Sequence, residues 1–280
     1  MPKISSGVES VWPRGKKCAV CLSFDVDGET MWLARDPDNA KRAGLMSQGE
    51  YGPRVAVPRI LKLLEKHALK ATFFIPGWIA EKYRDMVREI HAAGHEIGHH
   101  GYLHEWISHD MQIEKEKEIL DKGLSPLLEL TGEKPLGYRS PAGEFSVNTF
   151  DLLLDYGFIY ESTLMNDEIP YVLKQKAGRK LVEIPFHWVL DDAPFFNWTL
   201  RYHNMKTMAS PSAVYEIWRS EFDGFYREAR CYVLTMHPQI IGRPSRVQML
   251  DRLVSYMKKK PDVWFARLVD VAKYWIKTQT

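Results

Sequence analysis

Short apolar runs alternate along this chain with longer stretches whose apolar positions recur every three or four residues. The runs 17–24 (KCAVCLSF), 70–75, 95–99, 136–139, 158–161, 181–186, 231–236 and 263–267 read as strands. The stretches 55–67, 79–92, 111–131, 146–155, 211–227 and 245–259 read as amphipathic helices. Such alternation predicts parallel strands joined by crossover helices. Packed into 280 residues, it predicts an α/β fold, a distorted (β/α) barrel with seven or eight mostly parallel strands rather than a doubly wound open sheet. No repeat or linker interrupts the pattern, so 1–280 reads as a single domain. Residues 28–54 and 187–210 lack periodicity and read as long loops. Both leave the C-terminal ends of strands, where barrel enzymes place their chemistry. The first loop carries Trp32 and Tyr51, the second Trp188 and Trp198.

Composition changes this picture little. The 38 basic and 36 acidic side chains balance to +2 with no basic tract, so nothing calls for nucleic acid or an anionic membrane. The opening segment MPKISSGVESVWPRGKK has no apolar core of a signal peptide, and the run from Cys18 to Phe24 is too short to span a bilayer. A cytoplasmic location is expected. Cys18, Cys21 and Cys231 are too few, and odd in number, for a disulfide framework. Cys18 and Cys21 spell CxxC, but on a strand residues three apart face opposite ways, so buried small side chains are expected instead of a metal pair.

Polar residues gather at the ends of several strands. Asp25 and Asp27 close the first; at i and i+2 they face the same way, and two adjacent carboxylates need a cation or a shared proton. Taken alone, Asp and Gly after a strand indicate only a turn. The segment from Gly94 to His104 holds four histidines in ten positions, a density that metal ligation explains better than a solvated face, with one or two left for core or hydrogen-bonding roles. Within it, His95-Glu96-Ile97-Gly98-His99 matches the HExxH of zinc proteases, a motif that needs a helix. Glycines at 94, 98 and 101 would each cost a helix about 1 kcal/mol, so 95–99 reads as a strand, with the ligands at His100 and His104 in the turn beyond. Arg139, before Ser140-Pro141-Ala142-Gly143, is placed to form a bidentate pair with a carboxylate. Backbone N–H groups of that turn could serve an oxyanion. His237 ends the apolar strand Val233 to Met236, where a lone histidine is often a capped core residue; beside the other groups it reads as an acid.

Taken together, these motifs resemble the polysaccharide deacetylase superfamily (NodB homology, carbohydrate esterase family 4) from about residue 17 to 240. Ser23-Phe24-Asp25-Val26-Asp27-Gly28 is similar to the family's TFDDG, Gly94 to His104 to its HxxxH segment, Arg139 to Gly143 to its RPPYG, and Leu234-Thr235-Met236-His237 to its Leu-x-x-His. The resemblance implies a NodB-like barrel with Asp25 as general base and His237 as general acid. It also implies one divalent metal ion per chain on Asp27, His100 and His104. Zinc is the first choice, with cobalt, nickel or another divalent ion as substitutes. The extra Val26 and the Ala142 in place of tyrosine resemble a divergent branch of peptidoglycan deacetylases, cyclic imide hydrolases and allantoinase-like proteins. Pro185-Phe186-His187-Trp188, with Asp191 and Asp192 beyond, matches the family's tryptophan motif only loosely and leaves the residue that orients His237 open.

The expected activity is metal-dependent hydrolysis of a non-peptide amide C–N bond. Asp25 steadied by Arg139 would activate water, His237 would protonate the leaving nitrogen, and Ala142, Gly143 and Trp188 would contact the substrate. A small cyclic amide, imide or N-acyl compound is placed ahead of a glycan N-acetyl group, because the absent export signal takes a cell-wall polymer out of reach. A small-molecule partner is expected, and a homo-oligomeric state is left open. Two histidines and a carboxylate also describe a non-haem iron oxygenase, and an inactive ligand-binding homologue is the other alternative.

Overall fold

The computed structural model describes residues 11–13, 15–197 and 208–278. Its strands are β1 (Cys18–Asp25), β2 (Thr72–Ile75), β3 (Glu96–His99), β4 (Gly137–Tyr138), β5 (Tyr160–Glu161), β6 (Tyr171–Lys176), β7 (Arg179–Glu183), β8 (Cys231–Met236) and β9 (Val263–Phe265). They form one sheet in the order β6-β7-β5-β4-β3-β2-β1-β8, with β9 also on β1. Every pair is parallel except β6 with β7. The expected α/β architecture of a curled, mostly parallel sheet is therefore present, with nine strands among the described residues.

The extra strand is β6. Its residues are half-buried to exposed, and its apolar opening Tyr171-Val172-Leu173 is too short to announce it. Ala177 (φ 50°) and Gly178 (φ 78°) join it to β7, the left-handed pair that a tight hairpin needs.

β1 shows why the centre of the sheet is stable. All eight of its residues are buried, as expected of a strand covered on both faces. Cys18, Val20, Leu22 and Phe24 pack with Ile60, Leu64, Trp218 and Leu250 in one layer. Ala19 and Cys21 face Tyr160, Val182, Ile184 and Val233 in the other layer. Cys18 and Cys21 are thus free, buried and on opposite faces, as the alternation predicts.

The helices cover both layers, the last of them on the side of Ala19 and Cys21. In α1 (Thr30–Leu33), α2 (Ala43–Tyr51) and α3 (Val57–Lys66) only the last is long and clearly one-sided, burying Val57, Ile60, Leu63 and Leu64. Next come α4 (Gly77–Lys82), α5 (Arg84–Ala92), α6 (Ile113–Thr131), α7 (Thr149–Asp155) and α8 (Ala193–Phe196). The chain finishes through α9 (Pro211–Arg227), α10 (Pro238–Ile241), α11 (Pro244–Lys258) and α12 (Leu268–Thr278). Helix α9 starts where Ser210 accepts from Ala213 N at 3.2 Å, with Pro211 behind the cap. Its Trp218 and Phe222 are fully buried, worth about 1.5–3 kcal/mol for a large apolar side chain.

The structure corrects the reading of 28–54 as a loop. That stretch is α1, a 3₁₀ turn over Pro37–Lys41, α2 and one π-helical turn over Gly52–Ala56. These pieces are too short for periodicity to mark them and are held by tertiary contacts. Asn39 Nδ2 donates to Trp32 O at 2.9 Å. Gly49 lies so close to Glu29 that a Cβ there would sit 2.6 Å from its backbone N. The second predicted loop likewise holds a 3₁₀ turn at Trp188–Leu190 and α8; Trp198 lies outside the described residues.

Candidate metal and hydrolytic site

Parity along β1 places the first carboxylates. Ser23, Asp25 and Asp27 share one side, because Val26 N donates to Phe74 O at 2.8 Å and extends the ladder past the strand. Thr30 N and Oγ1 both donate to Asp27 O, at 3.0 and 2.6 Å, and close the turn behind it. Asp27 is buried, and neither carboxylate oxygen has a hydrogen-bond partner among the described residues. A bare buried carboxylate is costly unless a cation meets it.

The donors that surround it are imidazoles. His100 Nε2 stands 3.4 Å and His104 Nε2 3.8 Å from Asp27 Oδ1. His100 Nδ1 lies 2.8 Å from Arg139 O, a carbonyl that can only accept. The proton therefore sits on Nδ1, and the Nε2 lone pair points at Asp27. His104 is reached through a turn in which Glu105 accepts from Tyr102 N and Leu103 N at 2.9 and 3.0 Å. His104 itself has φ 58°, an uncommon conformation for this residue. One ligand atom from each of Asp27, His100 and His104 lies within 4.8 Å of the others. Two imidazoles, one carboxylate and the orphaned oxygens fit a divalent cation. The charges agree: burial opposes the Asp27 charge, but His104, His237 and His100 overcome it and hold the carboxyl well below the usual range. Burial pushes His104 down to about 4, which keeps it in the neutral, ligating form.

Two further pairs flank this cluster. Arg139 Nη1 donates to Asp25 Oδ1 and to Ser23 Oγ, both at 2.9 Å. Its Nε and Nη2 reach Ser162 O and Oγ at 2.8 and 3.0 Å, and Phe74 lies under the guanidinium at 4.4 Å. On the other side, His237 Nδ1 lies 2.6 Å from Asp192 Oδ1, whose second oxygen accepts His237 N at 3.0 Å. His237 Nε2 faces Asp27 Oδ2 at 3.7 Å. Burial works against its charge, but Asp191, Asp192 and Asp27 hold the imidazolium well above the usual histidine range. Burial also pushes Asp191 up to about 7.

All six predicted charged residues therefore converge at the C-terminal ends of β1, β3, β4 and β8. Ala142 (φ 58°) and Gly143 (φ 84°) also line the cavity, with Trp188 against Gly143. The cavity measures about 120 Å³. A larger cleft of about 640 Å³ lies behind the 185–190 segment, shares Phe186 with the site, and contains none of the metal-cluster residues. Sequence reading named Asp192 but left open which residue orients His237. It missed Ser23 and Ser162 on Arg139 and the lining residues Met31, Arg35 and Trp106. Of these only Trp106 carried a signal, a tryptophan two residues after the last histidine, and it is 54% exposed. His95 and His99 stay out of the site. His95 Nδ1 accepts from Ala71 N at 3.1 Å, and His99 stacks on Tyr138.

The chain is similar to known proteins in sequence and in fold. Residues 45–160 match the polysaccharide deacetylase family model, a span with His100, His104 and Arg139 but without Asp25 or His237. A Helicobacter pylori peptidoglycan deacetylase is 32% identical over 94% of this chain and 97% of its own length. The structure of a Mycobacterium smegmatis protein assigned to the polysaccharide deacetylases is 39% identical, with TM-score 0.91 over 96% of this chain and 93% of that one. The Puue allantoinase structure is 27% identical, with TM-score 0.82 over 98% and 95% of the two chains. No helix among the described residues is long and apolar enough to cross a membrane. The chain belongs to the polysaccharide deacetylase family and is a hydrolase of non-peptide C–N bonds.

Proposed function

We propose that this protein is a zinc-dependent hydrolase of a small cyclic amide or imide. The observation that carries the reading is the bare, buried Asp27 carboxylate between two imidazoles, flanked by a carboxylate–arginine pair and a histidine–carboxylate pair. When bound on Asp27, His100 and His104, a divalent ion would supply Lewis acidity and a lowered water pKa. Asp25, held by Arg139, takes the proton of the attacking water. The Ala142 N–H meets the developing oxyanion, since Gly143 N donates to Ser140 O at 3.4 Å. His237 protonates the leaving nitrogen, and Asp192 fixes the tautomer and orientation that this requires. What supports a small substrate is the cavity of about 120 Å³ that Trp106 and Trp188 help to line, together with the likeness to an allantoinase over nearly the whole chain.

Removal of an N-acetyl group from a peptidoglycan-type glycan is the second reading, favoured by the Helicobacter pylori relative. Zinc-loaded protein assayed against cyclic imides, hydantoins, allantoin and N-acetylated glycan oligomers decides between them. Ring opening of a cyclic compound, absent in Asp25→Asn, is the expected result. Acetate release from the glycans alone would overturn the first reading in favour of the second.

A further inference from the structure

Glu161 and Glu183 are register partners on the parallel strands β5 and β7, and both are fully buried. Partners in such a pair leave the sheet on the same face about 4.8 Å apart, so the two carboxyls adjoin. Glu183 Oε1 accepts Thr163 N at 3.3 Å and Leu164 N at 3.1 Å. Its other oxygen has no hydrogen-bond partner among the described residues, and the Glu161 oxygens have only the looser approach of Thr163 and Leu164 to ease their charge. The groups that face Glu161 from neighbouring strands are Tyr138 and Arg139 beside β4 and Tyr171 on β6. The one cation among them, Arg139, is engaged by Asp25, Ser23 and Ser162. Two bare carboxylates would repel strongly in this dry setting. Burial pushes the Glu161 carboxyl up to about 8.

The segment after Glu161 supports the catalytic turn. Ser162 takes two donors from Arg139, and Thr163 Oγ1 accepts Ser140 N at 3.0 Å. The backbone of Thr163 is in turn held by Glu183. We infer that Glu161 and Glu183 hold a single proton between them, with the Glu161 O–H donated to Glu183 Oε2, and so act as a positioning pair for the turn from Arg139 to Gly143. The link to that turn rests on the hydrolase reading; the shared proton does not.

Infrared difference spectroscopy of metal-loaded protein tests the proton without any substrate. At pH 7 the wild-type minus Glu161→Gln difference spectrum should show the carbonyl stretch of one protonated carboxyl, the Asp191 contribution cancelling between the two. Glu161→Gln can donate the same hydrogen bond and should keep kcat within about threefold, whereas Glu183→Ala should lower kcat by about tenfold at unchanged KM and metal content, because the oxyanion donor shifts. Glu183→Gln, which can still accept both N–H groups, should recover part of that loss. A wild-type minus Glu161→Gln difference spectrum with no protonated-carboxyl band overturns the shared proton. A second bound cation that Glu161→Gln releases does the same. A Glu183→Ala enzyme with unchanged kcat overturns the positioning role. Should Glu183→Ala not fold, the infrared result on Glu161→Gln still decides the proton.

Discussion

His95 and His99 sit in the same short segment as His100 and His104, yet the two pairs do opposite work. Odd positions of β3 and its approach face the helices: His95 packs on Phe73, and His99 lies against Tyr138 and under Gly123 of α6. Even positions face the sheet interior: Glu96 accepts from Thr72 Oγ1 and Tyr160 O–H, and His100 packs near Phe74. The turn that follows then swings His104 back to the same side. Burial pushes His95 to about 4 and His99 to about 3, which makes both neutral core side chains. The lesson is that histidine density marks a site, while strand parity decides which histidines belong to it.

Breaking the ligand pair should have the largest effect. His100→Ala or His104→Ala should remove the bound divalent ion and the activity together, whereas His95→Ala and His99→Ala should keep the metal whenever they fold. Elemental analysis of protein purified without chelator checks this, and metal lost from the second pair alone would restore the HExxH reading.

The flanking groups come next. Asp25→Asn should retain metal and fold yet lose at least ~100-fold in kcat/KM, the usual scale of general acid–base catalysis. Loss of metal in that variant would make Asp25 a ligand instead. His237, a histidine outside the run, sharpens the contrast as a third kind. His237→Ala should slow amides ~100-fold but an activated ester far less, because that leaving group needs no proton. Equal slowing of both substrates would leave His237 as a positioning or oxyanion residue.

Smaller effects probe the core pair. A Cβ at Gly123 would lie 2.2 Å from His99 Nε2 and 2.6 Å from Gly101 O. Gly123→Ala should therefore destabilise by about 1–3 kcal/mol despite its better helix propensity. Chemical denaturation measures this, and a variant as stable as the wild type would mean that α6 can shift away from His99. The smallest effect is acid sensitivity at His95. Its pKa in the folded protein, about 4, lies below the ordinary 6.5, so the unfolded chain binds the proton first. The stability that neutral His95 contributes is complete above about pH 6.5 and lost as pH falls toward 4. Denaturation midpoints at pH 7 and pH 5 should converge in His95→Gln relative to the wild type; an unchanged gap would remove His95 from the acid response.

Local chemistry along the chain was enough for eight of the nine described strands, for α3, α5, α6, α7, α9 and α11, and for the gathering of the charged residues at strand ends, but not for α12. Apolar runs and 3.6-residue spacing mark elements such as β1, β8 and α9, and polar residues immediately after a strand mark its catalytic end. Alternation alone put Asp25 beside Asp27 and separated Cys18 from Cys21. What depended on residues far apart in the chain left no such mark. β6 is an exposed edge held by a hairpin turn with no Asn-Gly signal. The helices between 30 and 56 are too short to repeat, and contacts such as Gly49 on Glu29 fix them. Asp192 orients His237 across 45 positions, and Ser162 holds Arg139 across 23. Those partners were decided only when the parallel sheet brought separate strand ends together, because a hydrogen bond selects its partner by distance and direction in space, and neither is encoded in local spacing.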